Sequence, residues 1–298
     1  MAVATAREAA PEWAPSEEQP RSARGWPRLV IAALLVALAA LFLVPFLWLV
    51  AASLRPNGET FSSEVLPTSF AWGNYLEVFQ ASQFARWLFN SLLVGVLASA
   101  SVVFSSAFVA FGFVYYRFPG RDLVFGLVLA TLMLPAAVTM VPTFLVWSAL
   151  HLVNTQVPLW ATNLFGSAVY IFLFRQFYLG LPRELFDAAR VDGAGPLRTW
   201  WSIVMPLTRP ALIAVAIFEF KASWANLMSA LIYLRSQSLF TIPVGLKTLY
   251  DEFGAGGGTV HWEIVMAASV LMTLPMIVIF FALQKHFVRG IATTGLKG

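Results

Sequence analysis

Residues 123–174 read LVFGLVLATLMLPAAVTMVPTFLVWSALHLVNTQVPLWATNLFGSAVYIFLF, 52 positions without one Asp, Glu, Lys or Arg. At 1.5 Å per residue a single helix of that length would be about 78 Å long, more than twice the roughly 30 Å of a bilayer's hydrocarbon core. The stretch must therefore fold back on itself. Its one polar patch, His151, Asn154, Thr155 and Gln156 followed by Pro158, is the place for the turn. That reading gives a pair of membrane-spanning helices over 123–149 and 158–178.

Four more apolar stretches flank the pair, at 29–54, 87–116, 210–234 and 264–284, the fifth in chain order carrying Glu219 and Lys221. The expected fold class is therefore all-α, a polytopic membrane protein with six transmembrane helices over 29–298. Composition agrees, because 59% of the 298 residues are hydrophobic and only 11% charged, with mean hydropathy +0.76. A soluble domain is nearer half apolar and one quarter charged. Residues 1–28, rich in Ala, Pro, Glu and Arg, read as a disordered tail. Four acids ahead of a 26-residue apolar run do not fit a secretory signal, so the first helix is expected to stay.

Lys and Arg set the orientation. With the N-terminus inside, fourteen of the 19 basic residues fall on the cytoplasmic side, four on the far side, and Lys221 in the membrane. The positive-inside rule then places both termini, and the segment 181–209, in the cytoplasm of a cell inner membrane. The same asymmetry accounts for the net charge of +4 without nucleic acid. Zero cysteines and three isolated histidines exclude a thiolate or clustered metal site, and no nucleophile–base set lies in the spans, so no catalytic residue is expected.

The segment 181–209 is more structured than a connector requires. Pro182 suits a helix start, Glu184 and Asp187 favour its positive end, and Arg183 with Asp187 has i, i+4 spacing. Gly193 can take the left-handed conformation that stops the helix, and Pro196 starts a second one. Ala188 and Ala189 leave room for a close-packed partner. Asp187-Ala188-Ala189, three residues, Gly193, nine residues, Ile203, one residue, Met205-Pro206 resembles the EAA loop of ABC importer permeases, Glu-Ala-Ala, three, Gly, nine, Ile, one, Leu-Pro, with Asp187 and Met205 as conservative departures. The likeness runs from Phe89-Asn90-Ser91 through Arg117-Phe118-Pro119-Gly120-Arg121 to Phe287-Val288-Arg289-Gly290 and Gly295-Leu296-Lys297-Gly298, and is of the carbohydrate-importer, maltose-permease second-subunit type.

The resemblance implies a passive permease subunit of an ATP-driven importer for a sugar or oligosaccharide, with glycerol phosphate or another polyol derivative as the alternative cargo. Its implied partners are two ATP-binding subunits, a second homologous permease, an extracytoplasmic solute-binding protein and membrane lipid. ATP and Mg would be bound by the ATPase subunits, and this chain has no Gly-x-x-x-x-Gly-Lys-Ser/Thr loop of its own. Glu184, Asp187, Ala188, Ala189, Asp192, Gly193, Ile203 and Pro206 are the implied ATPase-coupling residues, and the C-terminal tail is implied to lie at the same interface, against the alternative of a frayed end.

Glu219, Lys221, Trp224 and Asn226 are the candidates for the translocation path. Ionised groups at mid-membrane must face a cavity or a partner, so Glu219 and Lys221 either contact substrate or pair with the second permease. About 200° of helix separates them, too much for a simple mutual pair. Trp224 and Asn226 resemble the family's Trp-Asn pair, against a reading as core packing. An ion-coupled secondary transporter is the competing class, but it needs clustered intramembrane acids and inverted repeats, and Glu219 is the only acid within the spans. Trp26, Trp72, Trp87, Trp160 and Trp262 fit an interfacial aromatic belt, and the glycine run 254–258 reads as a flexible far-side loop.

Overall fold

The computed structural model describes residues 25–62, 64, 67–254 and 261–294. Among them the chain is helical with no strand. It divides into two compact units, residues 1–48 and 49–298. The first holds most of α1 (Gly25–Ser53), which begins four residues before the expected boundary at 28/29, with Pro27 tolerated in its first turn. The rest of the N-terminal tail, most of the glycine run and residues 295–298 lie outside the described residues.

The second unit is organised around α3 (Phe84–Tyr115), 32 residues and about 48 Å long. Its N-terminal half packs through Phe84 and Trp87 against α2 (Gly73–Ala81), the end of α11 (Arg209–Trp224), α13 (Ile242–Leu249) and α14 (Trp262–Thr294). Its C-terminal half packs through Val102, Ala107 and Phe111 against α4 (Arg121–Ala130), α7 (Ala168–Leu179), the start of α11, and Trp200 and Val204. Two cores on one helix explain why small residues recur along it. At Gly95 a Cβ would stand 2.8 Å from the Phe220 ring.

Three helices are long and apolar enough to cross a membrane alone: Leu29–Ser53, Phe84–Tyr115 and Trp262–Ala282. Three further candidates are bent pairs. Residues 121–149 are not one helix: α4 and the 3-10 turn Thr131–Met133 meet α5 (Ala136–Ala149) at 102°. Pro135 causes the break, since it forces Leu134 to extended backbone (ψ 119°) and offers no N–H. The segment Val157–Phe165, which contains α6 (Val157–Ala161), meets α7 at 41°, where Gly166 sits at φ +78°. The expected turn between them is present, with His151 (φ 56°) and Asn154 (φ 62°) in the left-handed region. Asn154 ties it to the far connector, its Oδ1 accepting from the backbone N–H of Arg235 and Ser236, both at 3.0 Å.

The expected helix over 210–234 is also interrupted. Helix α11 ends at Trp224, and Asn226 caps α12 (Leu227–Tyr233), its Oδ1 accepting from Ser229 N at 3.0 Å. Trp87 departs from the aromatic-belt expectation: it is buried, and its Nε1–H donates to Gln237 O at 2.8 Å. Asn90 and Ser91 bind the same connector, Asn90 donating to Ser238 O and Phe240 O while Ser91 Oγ accepts from Ile242 N at 2.7 Å, satisfying a free donor at the start of α13.

Candidate functional site

Helix α8 (Arg183–Val191) starts just after Pro182 and is strongly amphipathic. Ala189 is its buried contact, and Glu184, Asp187 and Ala188 are exposed. Asp192 closes the helix and Gly193 stands at φ +73°. The backbone N–H of Ala194 donates to Ala189 O (2.8 Å) and that of Gly193 to Arg190 O (3.0 Å), the paired bonds of a Schellman stop. A Cβ at Gly193 would meet nothing within 4 Å, so its glycine serves the backbone angle and not packing. The expected Arg183–Asp187 pair is not formed; Asp187 pairs with Arg190 at 3.8 Å, one helical turn along and on the side where Tyr115 also holds that guanidinium.

Beyond the stop, α9 (Pro196–Thr199) runs into a π-helical turn over Trp200–Val204 and then α10 (Met205–Leu207). Trp200 anchors this stretch. Its ring lies edge-on to Phe104 and Phe108 of α3, with centroids 5.2 and 5.1 Å away. Ile203 is half-buried and Pro206 exposed just before the 80° bend into α11. The surface of the loop shows what the residue pattern did not. Val191, Leu197 and Trp201 are 87, 65 and 61% exposed. The residue pattern does not single them out, because the segment carries many other apolar residues, Leu185, Phe186, Ile203 and Val204 among them.

The translocation-path candidates separate. Glu219 is half-buried, and Asn163 Nδ2 donates to its Oε1 at 2.6 Å; Tyr170 also faces the carboxylate. Asn163 is itself held by α3, through Ser105 Oγ donating to Asn163 O at 2.8 Å. Glu219 thus finds its partner within this chain, at the bend between α6 and α7. Lys221 points elsewhere, exposed, with no ion pair among the described residues. Trp224 is buried, stacked on Phe220 at 5.7 Å, and donates to Met272 O at 3.3 Å; it is a packing residue. Asn226 spends its oxygen on the cap of α12. Among the described residues no group of His, Asp and Glu could hold a metal ion.

Long and bent apolar helices packed around α3, with a capped polar loop between α7 and α11, define a multi-pass membrane protein. The chain belongs to the binding-protein-dependent transport system inner membrane components, whose family profile matches residues 102–293. It is a permease component of the inner membrane, not itself a catalytic subunit. It is 34% identical over 276 residues to the arabinooligosaccharides transport system permease protein of Bacillus subtilis, covering 91% of this chain and 96% of that one. It is 32% identical to an osmoprotective compounds uptake permease protein of Synechocystis (93 and 95% covered). The sn-glycerol-3-phosphate transport system permease protein of Pectobacterium atrosepticum is 33% identical (87 and 93% covered). Among solved structures, a chain of a bacterial ABC transporter involved in import of the acidic polysaccharide alginate superposes with TM-score 0.77 at 23% identity, over 90% of this chain and 99% of that one. That likeness is one of fold.

Proposed function

We propose that this chain is the second permease of an ATP-driven importer for an oligosaccharide. It would cross the inner membrane six times with both termini cytoplasmic, beside one homologous permease, two ATPase subunits and an extracytoplasmic solute-binding protein. The observation that carries the reading is the end-to-end 34% identity to the arabinooligosaccharide permease. ATP and Mg are held by the ATPase subunits. There α8 lies in a cleft of one ATPase, with Glu184, Asp187, Ala188 and Asp192 facing it, Ala189 holding the helix to its own core, and Gly193 and the Trp200 anchor making the loop a rigid lever. Closure of the ATPase pair on ATP moves that lever, and the bend at Thr208 passes the motion to α11.

A polyol phosphate is the second reading. It is favoured by the Pectobacterium relative and by the ammonium of Lys221, exposed and without an ion pair among the described residues, which would give an anionic cargo a charge-assisted hydrogen bond. Uptake by the reconstituted complex separates the two. Saturable, ATP-dependent uptake of labelled arabinooligosaccharide supports the first reading; uptake of glycerol 3-phosphate alone, lost in Lys221→Met, supports the second.

A further inference from the structure

Three cavities meet where α3 gives way to α4. One of about 490 Å³ is lined by Arg117, Arg121 and Arg183, together with Asp122. A second, about 830 Å³, shares those three arginines and adds Arg175 of α7 and Arg190 and Asp187 of α8. The third, about 410 Å³, is apolar and runs along one face of α3 past Val109, Gly112, Phe113 and Tyr116. Arg117 lines all three.

The charges in the cationic part are largely uncompensated. Arg121 is paired with Asp122 at 3.1 Å and Arg190 with Asp187 at 3.8 Å. Arg117, Arg175 and Arg183 have no acidic partner among the described residues, and Arg175 rests its guanidinium on the Phe125 ring at 4.3 Å. Like charges lining one pocket repel, and an anion held among them lowers that repulsion. The apolar groove opening from the same point adds a second demand. Its floor is helix backbone at Gly112, where a Cβ would meet nothing within 4 Å, so the groove has room for an aliphatic chain. An anion with an aliphatic chain attached satisfies both, at the end of an apolar helix long enough to cross a bilayer.

We propose that this junction binds an anionic phospholipid, its phosphate between Arg117, Arg121 and Arg183 and one acyl chain along the Val109–Gly112–Phe113–Tyr116 face of α3. Because Arg183 and Arg190 belong to α8, the lipid touches the helix to which the coupling role is given above. The site itself rests on the cavities alone; only its assignment to the inner leaflet rests on the proposed orientation.

The test is a titration of the delipidated full chain in nonionic detergent, read by native mass spectrometry, with phosphatidylglycerol, phosphatidylcholine and inorganic phosphate as probes. Phosphatidylglycerol should bind at least tenfold more tightly than phosphatidylcholine. Arg117→Gln and Arg183→Gln should each weaken it about fivefold, the ~1 kcal/mol that one basic side chain contributes beside an anionic headgroup. Arg117→Lys should retain most of the binding, and Gly112→Phe should weaken phosphatidylglycerol while leaving helicity by circular dichroism unchanged; these two variants carry the test if Arg117→Gln does not fold. Equal binding of the two lipids, or no effect of Arg117→Gln, would overturn the proposal. So would inorganic phosphate competing fully with Gly112→Phe silent, which would make the site one for free phosphate. If Arg117→Gln spared lipid binding but lost ATPase co-purification, the groove would be a protein contact and the lipid assignment would fall. None of these readouts involves transport, so the importer reading can fail without it, and it without the importer reading.

Discussion

The loop 181–208 and the polar seam around Glu219 are both tied to α3, yet they are built on opposite principles. The loop turns its specific residues outward: Glu184, Asp187, Ala188 and Asp192 are exposed, while Ala189 and the aromatic anchor Trp200 fix it to the bundle. The seam turns them inward: Asn163, Tyr170 and Glu219 satisfy one another, and Ser105 holds Asn163 from behind. The difference teaches that an exposed loop and a helix-packed seam solve polar satisfaction differently. Water or a partner can serve the loop's charges, whereas in the bilayer each polar group needs a partner in the protein.

Predictions follow the contrast from the largest effect to the smallest. Removing the loop's anchor with Trp200→Ala deletes a buried aromatic clasped by Phe104 and Phe108, so thermal unfolding in detergent should show a loss of about 3–5 kcal/mol together with loss of ATPase co-purification. Gly245→Ala tests the other core, where a Cβ would stand 2.1 Å from the Trp87 ring. The indole is pinned by its bond to Gln237 O and cannot withdraw, so overpacking should cost about 1–3 kcal/mol in the same assay with loop proteolysis unchanged.

Within the seam, Glu219→Leu strands the Asn163 amide in an apolar setting and should destabilise by about 1–3 kcal/mol, while Glu219→Gln, which keeps an acceptor oxygen, should restore most of it. Equal losses for Leu and Gln would mean that the charge, not the hydrogen bond, is what the seam requires. Gly193→Val forces a branched side chain to φ +73° at a cost of about 1–2 kcal/mol. Nothing surrounds the new side chain, so expression and membrane insertion should be normal while ATP-driven uptake falls. Uptake at the native level would show that the loop's end geometry is irrelevant to coupling.

The same contrast decides what was legible in the sequence. The loop could be read because its signals are local: a proline start, an acid in the first turn and a glycine stop within twelve residues. The hairpin at His151–Asn154 was equally open, since 52 uncharged residues cannot be one span. The seam was not, because Glu219 and Asn163 are 56 positions apart and only packing brings them together. Breaks inside apolar stretches were hidden for another reason. Pro45, Pro142 and Pro275 lie within helices, while Pro135 ends one, so the residue alone does not say which will happen. The Asp187–Arg190 pair was missed because both i+3 and i+4 spacings were on offer, and Tyr115, 75 positions from Arg190, tips the balance.

Cross-linking tests the central claim most directly. The chain has no cysteine, so a single one at Ala188, exposed on α8, can be placed without background. In the assembled complex Ala188→Cys should form a cross-link to an ATPase subunit with a short bifunctional reagent, at a yield that changes between nucleotide-free and ATP-bound states. No cross-link from Ala188→Cys in an assembled complex in any nucleotide state would contradict the account, because the loop would then not be where the ATPase docks.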